Sequence, residues 1–408
     1  MAASLGSELD TLVADLTGAV SEYKAAAANE DQLGGDLATR MKVITTAQKI
    51  VHATKKPEEQ WYDQSVWMAD LTATRIFKKW EAFAAIPAVG EGSISYEDLA
   101  KKLDADTSLV RRIAWVLVST GTLKQIGTDK VENTTKSMVY VNNDSNGMMF
   151  QIMYDEALRP YVFMSEYFEK YGRREPSGQT DNPYSFGYQQ PEKTAWEIMA
   201  AEPARVDAFM RSMDTMEQHL PITGYYDFSW VKEKLEAETE RTALVDVGGS
   251  RGHAIKAICA ETEYIKGAQC VLEDLPQVIE QVKTNGDEAL KNVKLQVHDF
   301  FTEQPIKGAL IYWIRRVLHD HNDTDCAKIL THLADAMAPD SRVLIVDQIM
   351  ENPPPPLVAQ TDFCMLTISG KERTREMFEE LVGRAGLKVL EVHLAKGTPV
   401  GVVECIKI

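Results

Sequence analysis

Cysteine is scarce in this 408-residue chain: Cys259, Cys270, Cys326, Cys364 and Cys405 are scattered, odd in number and never in a C-x-x-C arrangement. That pattern argues against a disulfide framework and a zinc site, so the five read as small core hydrophobes. Long apolar runs are missing too, and nothing approaches the roughly 20 residues that span a bilayer. The start "MAASLGSELDTL" has neither the basic residues nor the apolar stretch of a signal peptide. A cytoplasmic protein with no membrane contact is expected. Positive charge is in deficit: 44 Lys and Arg stand against 61 Asp and Glu, a formal net charge of -17. Such a chain repels a nucleic-acid backbone, whose binding depends on clustered bases. No nucleic-acid partner is expected.

What is present is a length that exceeds one ordinary core, so two or three domains are expected. Helical spacing runs from about Gly6 to Ala53 and continues through Trp67, Leu71, Ile76, Trp80 and Phe83. Beyond it, Ser95 caps one short helix, Asp106 or Thr107 caps a second, Gly121 ends it, and "LKQI..DKVENT" has the spacing of a β-ribbon. Helix, turn, helix and ribbon make a winged helix. Its second helix carries Val110, Ile113, Ala114, Val116, Leu117 and Val118, with Arg111 and Arg112 as the only bases. That composition favours a structural or dimerisation module over a DNA reader. A ligand-gated winged-helix regulator is the corresponding alternative.

Residues 141–205 read as a helical connecting and substrate-lid segment broken by the loop "GRREPSGQTDNPYSFGYQQPEK". The N-terminal module then spans 1–140 and the remaining domain 206–408. From Thr242 onward, short β-branched runs alternate with helical patterns: "TALVDVGG", "QCVLED", "KLQVHDF", "GALIYWI", "SRVLIVDQI", "LKVLEVHLA" and "VGVVECIKI". This alternation predicts an α/β fold with a doubly wound, mostly parallel sheet that binds ligands at the carboxyl ends of its strands. Only "KGTP" joins the last two runs, so they should form an antiparallel hairpin.

The ends of the first strands carry a ligand signature. Gly248, Gly249 and Gly252 lie between strand and helix, where glycines admit close backbone approach and a helix N-terminus adds donors. The second run ends at Glu273 and Asp274, the latter 25 residues past Gly249, and the third offers Asp299. A glycine loop followed by two acids fits an adenosine moiety, with a role limited to capping and turns as the bland reading of both acids. The spacing is D-x-G-G-x-x-G, not the G-x-G-x-x-G of dinucleotide enzymes, which weakens an NAD-dependent oxidoreductase reading. In "IRRVLHDHND", His319 and His321 follow a buried strand among carboxylates, but no third ligand stands at metal spacing. No metal is expected there.

These motifs resemble class I S-adenosylmethionine-dependent O-methyltransferases of the plant caffeic-acid and fungal natural-product type, over roughly residues 60–408. "DVGGSRG" is similar to D-V-G-G-G-x-G, "DLPQVI" to DLPHVI, "HDFF" to GDMF, "HDHND" to HDWSD and "SGKERT" to GGKERT. The resemblance implies a Rossmann-like methyltransferase sheet of seven strands and a homodimer through the winged-helix domain. It implies S-adenosyl-L-methionine as cofactor, held by Gly248, Gly249, Asp274, Asp299, Phe300 and Arg315. His319 becomes the general base, oriented by Asp347 and Glu372, and Phe209 and Met213 become acceptor-pocket residues. His321 replaces the family's tryptophan and reads as a helix-start or loop residue, with Asn322 as the helix cap.

The sequence departs from the family at three points. Ser250 stands where the family has glycine and fits only with φ below zero. Asp347 is one methylene shorter than the family's glutamate, and Glu217 replaces a serine near the cofactor's carboxylate. The implied reaction is methyl transfer to a hydroxyl, most simply phenolic, of an aromatic or polyketide-like small molecule. Some relatives of this type bind the cofactor and catalyse pericyclic rearrangements instead; retention of His319 and Glu372 argues for transfer, since a rearrangement needs no base.

Overall fold

The computed structural model describes residues 2–27, 37–142 and 144–408, which divide into two compact units, Met1–Val141 and Asn142–Ile408. The first unit begins with helices Ala2–Ala27 and Leu37–Thr54, and helix Gln60–Lys79 follows. The helical spacing expected across 28–36 lies outside the described residues. A winged helix completes the unit. Strands β1 (Ile94–Ser95), β2 (Leu123–Ile126) and β3 (Lys130–Asn133) form an antiparallel sheet in the order β1-β3-β2. Ser95 Oγ accepts from Asp98 N at 3.0 Å, and Asp106 rather than Thr107 caps the second helix, accepting from Leu109 N at 2.9 Å. Gly121, at φ +75°, ends that helix in a conformation that side chains disfavour.

The core of this unit is built from Phe77, Phe83, Tyr96, Leu99, Val110 and Leu117, all buried. Trp67 does not join it. Although it falls on the helical stripe, it is 65% exposed, among Trp61, Tyr62, Val66 and Met68, which are also exposed.

The second unit holds an eight-stranded sheet. Its strands are β4 (Leu244–Val247), β5 (Cys270–Asp274), β6 (Lys294–Val297), β7 (Ile311–Arg315), β8 (Arg342–Met350), β9 (Arg373–Thr374), β10 (Leu387–Leu394) and β11 (Val400–Lys407). They run in the order β10-β11-β8-β7-β4-β5-β6, with β9 beside the end of β8. Pairings among β4 to β8 are parallel, whereas β11 is antiparallel to both β8 and β10. The chain therefore forms the doubly wound sheet and closing hairpin that the alternating runs predict. The strand interiors are apolar on both faces because helices cover both: one cluster packs Leu244, Leu272, Trp313 and Val346, the other Val245, Tyr312, Ile314 and Val343. Strand order reverses beside β4, so the carboxyl ends of β4, β5 and β7 open the crevice where such sheets bind ligands.

Ahead of the sheet, helix Pro203–His219 runs unbroken across position 205 and packs on helix Ser145–Ile152. Residues 153–158 are wound as a π-helix, a form that often marks functional segments. Among the described residues no helix is long and apolar enough to cross a membrane. None of the cysteines is paired in a disulfide; Cys270, Cys326 and Cys405 are buried, but Cys259 and Cys364 are only partly so.

Candidate active site

Register alone brings the motif residues together. Val247 of β4 pairs with Glu273 of β5 and with Ile314 of β7, so the glycine loop, Asp274 and Arg315 emerge side by side. Gly248 has φ +68°, and a Cβ there would lie 3.0 Å from Val317 and 3.7 Å from the Phe300 ring. Phe300 thus lies over the loop's backbone. Gly249 is tighter still: a Cβ would come within 2.4 Å of Leu272 and 2.5 Å of the Asp246 carboxyl.

Ser250 corrects the sequence reading. Its φ is +50°, not negative, and the reason is visible in its hydrogen bond: this conformation sends its N–H to Asp274 Oδ2 at 2.8 Å. A left-handed residue other than glycine costs about 1–2 kcal/mol, offset here by a charge-assisted bond. The other Asp274 oxygen accepts from Leu275 N at 2.7 Å. Burial raises the Asp274 carboxyl's pKa, and these two bonds oppose it. Each oxygen keeps lone-pair capacity for a further donor.

Asp299 lies exposed on a turn, accepting from Phe301 N at 3.0 Å. Arg315 donates to the Leu220 carbonyl at 3.3 Å and stands close enough to Asp246 to affect its titration. Asp246, in the "DVGG" motif, was not singled out by the sequence reasoning. It is 2% exposed, and its Oδ2 lacks a hydrogen-bond partner among the described residues. Burial raises it to about 7, with Arg315 opposing and Asp274 and Glu273 adding to the rise. The signal that could have found it is an acid in an otherwise apolar parallel strand.

At the end of β7, His319 is 5% exposed and its Nδ1 lies 2.9 Å from Glu372 Oε1. Its Nε2 is 3.5 Å from Asp320 Oδ1. Burial opposes the charged imidazole, but Asp320, Glu372 and Asp347 outweigh it and raise the ring to about 9. For Glu372 burial acts upward, yet the histidine and the Gln348 amide leave its pKa below the ordinary value.

The other expected orienting acid does not make the contact. Neither oxygen of Asp347 has a hydrogen-bond partner among the described residues. It acts on His319 through charge alone, and burial raises it to about 7. The amide of the next residue, Gln348, instead donates to Glu372 Oε1 at 2.9 Å.

"SGKERT" holds the histidine's backbone as well as its ring. Lys371 N donates to the His319 carbonyl at 2.8 Å, and a Cβ on Gly370 would fall 2.2 Å from that oxygen. The fully buried Arg373 guanidinium binds the Leu318 and His321 carbonyls, each at 3.0 Å, and Asp323 Oδ1 at 2.8 Å. Arg373 and Gln348 are the buried hydrogen-bond donors beside the histidine that the motifs do not reveal. His321 is a loop residue just ahead of the helix cap, as expected, and it packs edge-on to Phe300 and Phe301 at 5.7 and 5.3 Å, where burial lowers its pKa. Asn322 caps the following helix, accepting from Thr324 and Asp325 N. No group of three or more His, Cys, Asp or Glu among the described residues could hold a metal.

The long loop docks beside this turn. The Ser177 carbonyl accepts from Asn322, the Gly178 carbonyl from Ser369 Oγ, and Tyr184 N donates to the Thr367 carbonyl. Phe209 sits on helix Pro203–His219 against Met148, Ile152 and Met153, edge-on to Trp196 at 5.5 Å. Met213, one turn on, is partly buried. Arg205, one turn before Phe209, fixes the helix by binding Glu156 and Tyr184 Oη. The Glu217 side chain lies outside the described residues.

The doubly wound sheet, the glycine loop with its neighbouring acid and the buried histidine–carboxylate pair at the sheet's carboxyl edge define an α/β enzyme of the nucleotide-binding sheet class. The chain belongs to the O-methyltransferase family, whose domain matches residues 174–388. It is 36% identical over 405 residues to methyltransferase cfoD of Aspergillus candidus, covering 97% of this chain and 98% of that one. It is 37% identical over 344 residues to methyltransferase pynC of Aspergillus niger, covering 83% and 94%. In fold it matches OxaC, crystallised in complex with SAH and oxaline, with a TM-score of 0.84 at 22% identity over 99% of this chain and 100% of that one. The protein is an S-adenosylmethionine-dependent O-methyltransferase.

Proposed function

We propose that His319 is the general base that takes the proton from an acceptor hydroxyl, with Glu372 fixing its Nδ1 tautomer and Asp347 adding negative charge nearby. The Nδ1–Glu372 contact at the end of β7 carries this reading. S-adenosylmethionine supplies a sulfonium-activated methyl group. The residues present fit it: Gly248 and Gly249 admit close backbone approach, Asp274 has acceptor capacity left for ribose hydroxyls, and Phe300 presents an aromatic ring. Asp299, Arg315 and the buried Asp246 complete the polar surroundings of the loop. With phenol near pKa 10, an imidazole raised to about 9 leaves proton transfer uphill by about 1.4 kcal/mol, against about 5 kcal/mol for an ordinary histidine. Positioning supplies much of the remainder.

The acceptor is a flat, hydrophobic hydroxyl compound of phenolic or polyketide type. The aromatic and Met-rich set of Phe209, Met213, Tyr184, Tyr188 and the segment 361–368 supports that class. Oxaline in the OxaC crystal is a precedent for a small natural-product ligand on this fold. Candidate acceptors incubated with isotope-labelled S-adenosylmethionine should give products carrying the label on oxygen, located by fragmentation mass spectrometry. Full cofactor binding with no labelled product from any hydroxyl compound would favour a rearrangement instead.

The same assay gives the pH dependence. A base must be unprotonated to act, and its pKa is raised, so kcat should climb from pH 7 and level off only above about 9. A plateau beginning near pH 6.5 would show a histidine free of its carboxylates.

The exposed apolar residues Trp61, Tyr62, Val66, Trp67 and Met68 support a homodimer formed through the first unit. Apolar groups so clustered on one helix mark an interaction surface. Trp67→Glu should convert a dimer to a monomer in analytical ultracentrifugation; an unchanged sedimentation coefficient would exclude this face.

A further inference from the structure

The proposed role of His319 as base leaves open what steadies the carboxylate behind it. Glu372 Oε1 accepts two hydrogen bonds of 2.9 Å, one from His319 Nδ1 and one from Gln348 Nε2. Gln348 is brought there by register: Ile349 of β8 pairs with Arg373 of β9, so the residues preceding each, Gln348 and Glu372, stand next to one another. All three side chains are buried. Glu372 N also donates to Asp362 Oδ1 at 2.9 Å, so the backbone of this acid is fixed independently of its carboxylate. Neighbouring Asp347, by contrast, offers two oxygens with no hydrogen-bond partner among the described residues.

We propose that Gln348 is a positioning residue for methyl transfer, its amide holding the Glu372 carboxylate that in turn holds His319. The consequence is electrostatic as well as steric. A carboxylate oxygen that accepts two donors shares its charge between them, so the Gln348 amide moderates the pull of Glu372 on the imidazole proton. The charged groups around the ring come from every neighbouring segment: Asp320 beside it, Asp347 on β8, and Glu372 ahead of β9. Arg316, Arg373, Asp362 and the Cys364 thiol stand around those acids, and His321 faces the ring itself. Among these groups Gln348 is the neutral donor bonded to the carboxylate that touches the ring, so replacing it changes that bond without adding or removing a charge.

The test is the pH profile of kcat at saturating S-adenosylmethionine for wild type, Gln348→Met and Gln348→Glu. Methionine fills nearly the same volume and donates nothing. The full charge of Glu372 then bears on His319, and the acid limb should move up by about half a pH unit or more. Glutamate adds a second acid facing Glu372, and the limb should move further. The cofactor Kd should stay within about twofold, because neither variant alters the glycine loop or Asp274. Acid limbs superimposable on wild type for both variants would overturn the proposal, whatever their thermal stability. Failure of the underlying reading shows separately: if His319→Ala keeps its turnover, there is no base for Gln348 to position.

Discussion

His319→Ala is expected to lose about 10²- to 10⁴-fold in kcat, the usual worth of a positioned general base, or about 3–5 kcal/mol of barrier. Binding of S-adenosylmethionine should survive, because the residues that fit it stand on the ends of β4 and β5 and on the glycine loop. The variant is nevertheless not silent in the apo protein. Truncation leaves Glu372, 1% exposed, with Gln348 as the donor to its Oε1, and stranding a buried charge is destabilising. Isothermal titration of the cofactor together with single-turnover methyl transfer separates the two effects. Turnover within tenfold of wild type would remove His319 from the role of base. A companion variant, Glu372→Gln, keeps the shape but removes the charge. The imidazole pKa should then fall toward its ordinary value, and the acid limb of kcat should move down rather than up. Opposite shifts in Glu372→Gln and Gln348→Met would locate the control of basicity at one carboxylate oxygen.

The sheet, its hairpin and the histidine–glutamate pair were legible because each rests on a local pattern. Seven apolar runs with helical spacers leave few topologies, and "HDHND" and "SGKERT" are compact motifs. Contacts made by side-chain reach were not legible. No motif states that both Asp347 oxygens lack a hydrogen-bond partner among the described residues, or that the Gln348 amide reaches Glu372. Likewise Arg373 stands inside a recognised motif, yet its bonds to the Leu318 and His321 carbonyls depend on β9 pairing with β8. Ser250 failed for a related reason. Its φ preference was judged as an isolated residue, but the acceptor 24 positions on, Asp274 Oδ2, decides it. Trp67 lies on the correct helical stripe, and the spacing cannot say that its face is left open.

Gly249→Ala is expected to be the most damaging single-methyl addition in the glycine loop after β4. The sequence presents the loop's glycines as permitting close approach of a ligand. For Gly249 the atoms in the way belong to the protein itself. An added Cβ would stand 2.4 Å from Leu272 Cδ1 and 2.5 Å from Asp246 Cγ and Oδ2. Neither neighbour has room to retreat. Leu272 is wholly buried in the sheet's core, and Asp246 is a buried acid whose displacement would disturb the polar groups beside it. The loop itself must lift. Gly249 N is bonded to the Glu273 carbonyl at 3.0 Å and the Gly249 carbonyl to Gly252 N at 2.9 Å, so lifting strains both and draws Ser250 N away from Asp274. Overpacking of this kind costs about 1–3 kcal/mol of stability. If half of that falls on the bound state alone, the cofactor's Kd rises by about 3- to 10-fold. Gly248→Ala offers the contrast: its nearest obstacle is a Val317 methyl at 3.0 Å, and its penalty arises chiefly from φ +68°. Calorimetric titration of S-adenosylmethionine into both variants, with thermal unfolding of each apo protein, tests this. An affinity for Gly249→Ala within twofold of wild type would mean that the loop yields without moving its acid. Asp274 would then hold its place by some means other than the Ser250 N–H.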